Sequence, residues 1–431
     1  MFLKFLLILR LLGFTFSLIT QRLSLVLSAK LHRLTYRVVS HPKNIVIIGG
    51  SFGGYFLATR LAESLPSGYK VILIEKHTHF HFTWNFPRST VVPGQEHKAF
   101  IPYPDKPADT PEGSFELKRG VVTTINEKSV VLATGEVVEY AYLALATGSQ
   151  HRYPAALHSD DKGGAVRFFA DVQTRIQHAE TIVVVGGGAA GVEVAGDIRS
   201  KYPLKTVTLV HSRDRLLNSF APGLHAIARP ALEELGVKLH LGERVVGGFD
   251  LELDLDGPGN VVLSSGTVLP CDLLIKCTGQ TPNSQLVRAF SPSSIAASGA
   301  ILVHPTLQVK IENAPSPNVY ALGDVVDLPG PKMGRAASMQ GFLVAENIVR
   351  SIRGKKLRDY VPSLIDSSIE LTLGLTKNVT YISDGTTDVS FSKKMTDEAM
   401  HAAQAWRLMG AKPFEEPNIQ IPDRVVDKNG A

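Results

Sequence analysis

The run Lys43-Asn44-Ile45-Val46-Ile47-Ile48-Gly49-Gly50-Ser51-Phe52-Gly53-Gly54 decides the fold. Its first half, rich in Ile and Val, reads as a strand buried on both faces. A glycine-rich turn follows at once. An apolar helical pattern comes next, through Tyr55, Phe56, Ala58, Leu61, Ala62 and Leu65, until Pro66 and Gly68 break it. Val71-Ile72-Leu73-Ile74-Glu75 is a second strand ending in an acid, 21 residues past Gly54. Strand, glycine turn, helix, strand and acid in that order make the dinucleotide-binding unit. Gly49 permits the tight turn, and Gly54 lets helix and strand pack closely. The helix N-terminus offers free N–H groups to a pyrophosphate. Glu75 is suited to accept bonds from a ribose diol. One departure is Ser51, where the pattern has its middle glycine. Its Cβ crowds the pyrophosphate, while its hydroxyl offers a donor. The candidate binding residues here are Gly49, Gly50, Ser51, Phe52, Gly53, Gly54 and Glu75.

The pattern recurs. Thr181-Ile182-Val183-Val184-Val185 is a buried strand, and Gly186-Gly187-Gly188-Ala189-Ala190-Gly191 carries all three glycines, with Gly186, Gly188 and Gly191 at the expected positions. Val207-Thr208-Leu209-Val210 is the second strand, but it ends in His211-Ser212-Arg213 instead of an acid. Arg213, with Arg215 nearby, is suited to pair with a ribose 2′-phosphate. This favours NADPH as donor, with NADH tolerated. Two dinucleotide units in one chain are built to pass electrons between two dinucleotides. The economical assignment is FAD held in the first and transient NAD(P)H in the second.

Composition sets the frame. The chain has 431 residues, 44% hydrophobic and 20% charged, an ordinary globular make-up for about three domains. The net charge of +5 is unevenly placed. Lys4, Arg10, Arg22, Lys30, Arg33 and Arg37 fall in the first 40 residues, which hold no acid, and the rest is close to neutral. That argues against a nucleic-acid-binding surface on the folded body. The two cysteines, Cys271 and Cys277, lie on one strand-like run. A strand of that length spans about 20 Å, too far for a disulfide. So there is no CxxC and no dithiol relay.

The first residues are strongly apolar, yet the longest uncharged stretch, Leu11 to Gln21, is too short to span a bilayer. At helical spacing Arg10, Ser17, Gln21, Ser24 and Ser28 form one polar stripe opposite Leu, Ile, Phe and Val. Three readings fit: a helix lying in a membrane interface, a mitochondrial presequence, or a buried core helix. The first makes residues 1–40 an anchor that stands apart from the fold. It puts the protein on a membrane, mitochondrial or on the cytoplasmic face of another organelle or a lipid droplet. Met1-Phe2 excludes N-myristoylation.

Five motifs in order carry a resemblance: GGSFGG; Ala146-Thr147-Gly148; GGGAAGVE at 186–193; CTGQTPN at 277–283; and Asn318-Val319-Tyr320-Ala321-Leu322-Gly323-Asp324. The chain resembles the two-dinucleotide-binding-domain flavoproteins of the glutathione-reductase, or pyridine nucleotide-disulfide oxidoreductase, fold. Pro331-Lys332-Met333 and the VTLVHS run at 207–212 look like the apoptosis-inducing-factor-like branch, which includes the ferroptosis-suppressor (AMID-type) NAD(P)H:quinone oxidoreductases. The resemblance implies an α/β architecture of two Rossmann-like domains plus a C-terminal interface domain. It divides the chain into a targeting or membrane segment at 1–40, an FAD domain at 41–160 and 300–360, an NAD(P)H domain at 161–299, and an interface domain with tail at 361–431. It also implies that Asp324 binds the flavin ribityl chain, Arg88 the FAD phosphates, and Val122 the adenine through its backbone. Thr147 and Gly148 join the cofactor site, Glu193 sits at the nicotinamide–flavin contact, and Lys332 is the second candidate catalytic residue. A homodimer is left open, and no metal site is expected.

Without a cysteine pair beside the flavin, electrons must go directly to an acceptor, of which a quinone is the simplest. Gln340 alone stands where the related type-II NADH dehydrogenases have paired glutamines. Two rivals remain at this point: an oxidoreductase acting on a small hydrophobic metabolite, and a redox-signalling flavoprotein. His77, His79 and His81 alternate and suit packing, a proton relay or, least well, a metal. Strands are expected at Ile369–Leu375 and Val379–Ser383, a helix near Met395–Met409, and a loose polar tail from Lys412.

Overall fold

The computed structural model describes residues 2–150, 157, 159–247, 256–312, 318–366, 368–395, 397 and 399–416. After a long helix, α1 (Phe2–Thr35), come β1 (Lys43–Ile48), α2 (Phe52–Ala62) and β2 (Tyr69–Glu75). A short hairpin, β3 (His79–His81) and β4 (Phe100–Pro102), brackets α3 (Phe86–Val91), and β5 (Phe115–Arg119) completes one edge. The first sheet is five parallel strands in the order Val319–Ala321, Tyr142–Leu145, β1, β2, β5. Its outer strand comes from far along the chain. The helix Gly334–Ile352 lies across α2, so close that a Cβ on Gly341 would meet the Gly53 carbonyl oxygen at 2.8 Å.

After α4 (Lys162–His178), the second sheet repeats the plan. Its order is Lys238–Leu241, Thr206–His211, Thr181–Val185, Val268–Lys276, Asp256–Leu263, Val245–Gly247. The first four strands are parallel and the last two antiparallel. The helix α5 (Ala189–Lys201) covers it. A three-stranded antiparallel sheet, Ile369–Thr372, Lys377–Ser383 and Asp388–Lys394, packs against α5. The mixed α/β class and the duplicated nucleotide unit are as the sequence predicts.

One buried cluster ties these parts together. Arg88 on α3 donates from Nε to Asp197 Oδ2 at 2.7 Å, with side chains 2% and 0% exposed. Its Nη2 reaches Asp197 Oδ1 at 3.3 Å and, at 3.5 Å, the Gly374 carbonyl in the turn after Ile369–Thr372. One turn before Asp197, Glu193 Oε1 accepts from the Thr372 backbone N–H (3.1 Å) and hydroxyl (3.2 Å). The Arg88 guanidinium, expected at the FAD phosphates, is bonded to a carboxylate on α5 and joins the first unit to the second. Burial pushes Glu193 up to about 8, with Asp197 adding to the rise. Burial also lifts Asp197 to about 6, against the pull of Arg88.

The two ends of the chain depart from expectation. α1 is not detached. Leu7, Ala29 and Tyr36 are buried, and the Tyr36 hydroxyl donates to the Tyr69 carbonyl at 2.8 Å. Arg10 faces Asp384 at 3.6 Å, beside the C-terminal sheet, and Arg33 faces Asp109 at 3.2 Å. The contact stripe is itself apolar, so nothing in an apolar helix marks it. The opposite face leaves Leu12, Phe16, Leu23 and Leu27 more than 60% exposed. The last helix spans only Ala402–Leu408, because Met400 and His401 take left-handed conformations with φ of +46° and +65°. The chain from Lys412 is not loose throughout. Phe414 packs on Trp406, and Glu416 accepts from His79 Nε2 at 2.5 Å and from Lys162. The tail beyond Glu416 lies outside the described residues.

Removing one partner of a buried ion pair leaves the other charge uncompensated. Asp197→Ala is therefore expected to cost about 3–5 kcal/mol in urea unfolding. Arg88→Met combined with Asp197→Leu should recover most of it; a loss from Asp197→Ala under about 1 kcal/mol removes the pair from this role. Glu193 supplies a pH test. Its folded pKa, about 8, lies above the ordinary 4.5, so its contribution is full below 4.5 and is lost as pH rises through 8. Glu193→Gln should gain stability relative to wild type across that window; a pH-independent difference would overturn this.

Candidate functional site

Both glycine turns are built the same way. Gly49 sits at φ +100°, and a Cβ there would meet the Ala146 carbonyl oxygen at 2.4 Å. Gly186 sits at φ +117°, and its Cβ would meet the Cys277 carbonyl oxygen at 2.5 Å. A Cβ on Gly54 would lie 1.7 Å from the Gly49 oxygen, and one on Gly191 would lie 1.8 Å from the Gly186 oxygen. Only glycine fits at these four positions. Around Gly188, by contrast, an added Cβ meets nothing within 4 Å. The residue there borders open space, as a turn that receives a pyrophosphate requires. Ser51 caps α2 without a side-chain hydrogen bond to the helix.

Glu75 ends β2 beside the first turn. Its Oε2 accepts from the Gly50 N–H at 2.5 Å and its Oε1 from the His77 N–H at 2.8 Å. Burial alone would raise it, but His77 and these backbone donors outweigh burial and hold the carboxyl below its ordinary value. The Tyr103 hydroxyl donates to the Gly50 carbonyl at 2.8 Å. No local pattern marks Tyr103; it arrives through the chain that follows β4. Val122 begins the strand just after β5, whose last residue, Arg119, pairs with Glu75. The structure thus brings Glu75, Gly50 and the Val122 segment to one end of the first sheet.

The remaining motifs meet between the two units. The Thr147 hydroxyl donates to the Asn283 carbonyl at 2.7 Å, and Asn283 Nδ2 donates back to the Thr147 carbonyl at 2.9 Å. Gly148, at φ +65°, accepts from the Asn283 N–H. Asp324 follows the Val319–Ala321 strand at its carboxyl end, where α/β sheets bind ligands. Gln280 Nε2 donates to Asp324 Oδ2 at 2.9 Å, and Ser149 lies 3.3 Å away. A cleft opens here, lined by Asp324, Lys332, Met333, Gln340, Tyr360 and Asp366 among others. Lys332 Nζ donates to the Val326 carbonyl at 2.7 Å; burial lowers its pKa against the pull of Asp324 and Asp327. Gln340 turns inward, accepting from the Gly323 N–H at 2.7 Å, so it braces the Gly323–Asp324 turn.

Glu193 lies apart from this turn, in the wall between α5 and the C-terminal sheet. The alternating histidines do not converge as three. His77 and His81 rings lie 4.1 Å apart, while His79 bonds Glu416. Burial, with His77 beside it, holds His81 down to about 3. Both cysteines belong to the second unit. Cys271 is buried on the sheet, and burial pushes the Cys277 thiol up to about 12.

Comparison with known proteins agrees with this geometry. Residues 43–341 match the family model described as pyridine nucleotide-disulphide oxidoreductase. Fe-regulated protein 8 of Mycosarcoma maydis is 32% identical, across 85% of this chain and 98% of its own length. Ferroptosis suppressor protein 1 of Homo sapiens is also 32% identical, across 87% of this chain and 98% of its own. Among solved structures, the sulfide:quinone oxidoreductase of Aquifex aeolicus shares the fold, with a TM-score of 0.68 at 18% identity, covering 87% of this chain and 93% of that one. The chain belongs to the pyridine nucleotide-disulphide oxidoreductase family and, within it, to the apoptosis-inducing-factor-like, ferroptosis-suppressor branch of FAD-dependent NAD(P)H oxidoreductases.

Proposed function

We propose that the protein passes electrons from NAD(P)H through FAD to a quinone-like acceptor that enters the cleft at Asp324. The observation that carries this reading is the placement of the cysteines. The chain has only two, both on or just after one strand of the second sheet, and the Cys277 thiol stays protonated at neutral pH. No dithiol is available to take electrons onward, so the acceptor itself must reach the cleft.

The residues present suit FAD in the first unit. The α2 N-terminus, with Gly50, Ser51 and Gly53, would hold the pyrophosphate, and Glu75 the adenosine ribose. The Val122 backbone would meet the adenine, and Asp324 the ribityl chain. Bound flavin supplies the two-electron chemistry, and the protein orients it and keeps water out. Gln280 and Ser149 hold the Asp324 carboxylate in place, and Lys332 sets a positive charge in the same cleft. In the second unit Gly186, Gly188 and Gly191 would receive the nicotinamide dinucleotide. We assign Glu193, on the helix that follows this second turn, to the nicotinamide end.

A lipid-soluble acceptor calls for access to a bilayer. No helix among the described residues is long and apolar enough to cross a membrane. We assign peripheral docking to α1, through the face that carries Leu12, Phe16, Leu23 and Leu27, with the exposed Lys30 on an anionic head group, worth about 1 kcal/mol.

Two experiments test this. The purified protein should be yellow and release FAD on acid precipitation. Asp324→Ala should weaken FAD retention roughly tenfold or more, well beyond Glu75→Gln, since a charge-assisted bond to a buried ligand is worth about 1.5–3 kcal/mol. A colourless protein that takes up no FAD ends the reading. Replacing Leu12, Phe16, Leu23 and Leu27 together by Gln should leave NAD(P)H-to-dye activity intact. It should abolish binding to phosphatidylserine-containing vesicles and activity on quinone embedded in them. Unchanged vesicle binding removes α1 as the docking face.

A further inference from the structure

Two side chains from distant parts of the fold share one carboxylate near the C-terminus. Glu416 Oε1 accepts from His79 Nε2 at 2.5 Å, and Oε2 accepts from Lys162 Nζ. The Glu416, His79 and Lys162 side chains are 16%, 11% and 5% exposed, so these bonds act with little screening by water. The last helix aims the chain at this point. Trp406, fully buried, donates from Nε1 to the Lys98 carbonyl at 2.9 Å. Phe414 takes a left-handed φ of +65°. Its ring packs edge-on to Trp406 at 5.7 Å, and the Lys98 ammonium lies 5.0 Å from its centroid. A bulky residue keeps that backbone conformation only where its surroundings fix it. Here the indole and the ammonium do so, and they deliver Glu416 to His79.

His79 stands at the mouth of the β3–β4 hairpin, paired with Pro102. On both sides of that pair the chain runs to the first glycine turn. Before it, the His77 backbone N–H and ring Nδ1 both meet Glu75 Oε1 at 2.8 Å. After it, the Tyr103 hydroxyl donates to the Gly50 carbonyl. Within the hairpin, the buried Phe80 ring packs edge-on to Phe52 of the turn at 5.0 Å. The place of the hairpin therefore decides where the Glu75 carboxylate lies. Its two strands form a sheet of their own, and a lone two-stranded hairpin is marginal without outside support. Glu416 supplies that support, tying His79 to Lys162 at the start of α4. We infer that Glu416 is a positioning residue of the first nucleotide site: it fixes His79 and, through the hairpin, holds the Glu75 carboxylate for the adenosine ribose of FAD. This rests on the first unit being the FAD site.

The test measures the dissociation constant for FAD on the full-length chain, by flavin fluorescence after FAD is removed and added back. Glu416→Ala should raise it about fivefold, and a value within about twofold of wild type overturns the assignment. Combination with a second change separates positioning from a general loosening of the fold. With Glu75→Gln the two losses should not multiply, because they act on one contact. With Asp324→Ala, at the other end of the cofactor, they should multiply. Losses that multiply with both, or with neither, overturn the assignment. Lys162→Met with Glu416→Gln removes both charges but keeps an acceptor for His79, and should bring FAD binding back to within about twofold of wild type. No recovery in that pair places the effect in the lost charges and overturns the route through His79. Should Glu416→Ala fail to fold, Glu416→Gln alone and in the same combinations decides. If wild type takes up no FAD, the reading of the first unit falls instead, and this inference with it.

Discussion

A glycine α-carbon pressed onto a carbonyl oxygen sets the geometry of both nucleotide units. Gly54 lies against the Gly49 oxygen, and Gly191 against the Gly186 oxygen, with no room for one more carbon. The contact draws the start of each helix down to the end of its strand. The first two N–H groups of the turn thereby meet the neighbouring strand, Gly49 on the Ile74 carbonyl and Gly186 on the Val210 carbonyl, Gly50 on the Glu75 carboxylate and Gly187 on the His211 ring. Everything chemical in the molecule is arranged around that geometry. In the first unit the turn packs on the Ala146–Thr147–Gly148 segment, in the second on Cys277 and Thr278. Those two segments then bond each other through Thr147 and Asn283.

The two units are also fixed from the far side. Arg88 and Asp197 exchange a buried bidentate contact, and Glu193 bonds Thr372 across the next interface. Arg88 faces two buried carboxyls one helical turn apart, and the balance holds because Glu193 keeps its proton at neutral pH. The C-terminal sheet is thus tied to α5 by hydrogen bonds as well as by apolar contact, while the cleft at Asp324 is lined by chain between Gly323 and Asp366.

What the sequence could reveal follows the range of each interaction. The strand, glycine, helix and acid signals act over a few residues, and they locate both units, the Gly323–Asp324 turn and two of the three strands of the C-terminal sheet, the third being Asp388–Lys394. The partners of Arg88, Glu193 and His79 lie 109, 179 and 337 residues away, and no local pattern points to them. Resemblance puts Arg88 at a phosphate because side-chain type carries over while its partner does not. In α1 the polar stripe is legible, but the stripe that packs on the body, Leu7, Ala29 and Tyr36, is apolar among apolar neighbours. Ser51 and His211 are departures that the sequence does show, and both are informative. One caps its helix with a hydroxyl that makes no bond to that helix; the other occupies an acid's place.

The first sheet closes only when Val319–Ala321 pairs with Tyr142–Leu145, while every strand of the second sheet lies between Thr181 and Lys276. The order of synthesis and the order of completion therefore differ. A nascent chain that has just passed Lys276 holds all the strands of the second sheet, while the first still lacks its outer one. Tyr142–Leu145 must wait with an open edge, and edges of that kind are where chains pair wrongly. The hairpin of β3 and β4 waits longer still for the partner of His79, since Glu416 is made after every strand of the described residues. A fold whose earliest-made unit finishes last depends, in the cell, on what shields that edge until the remainder of the chain arrives.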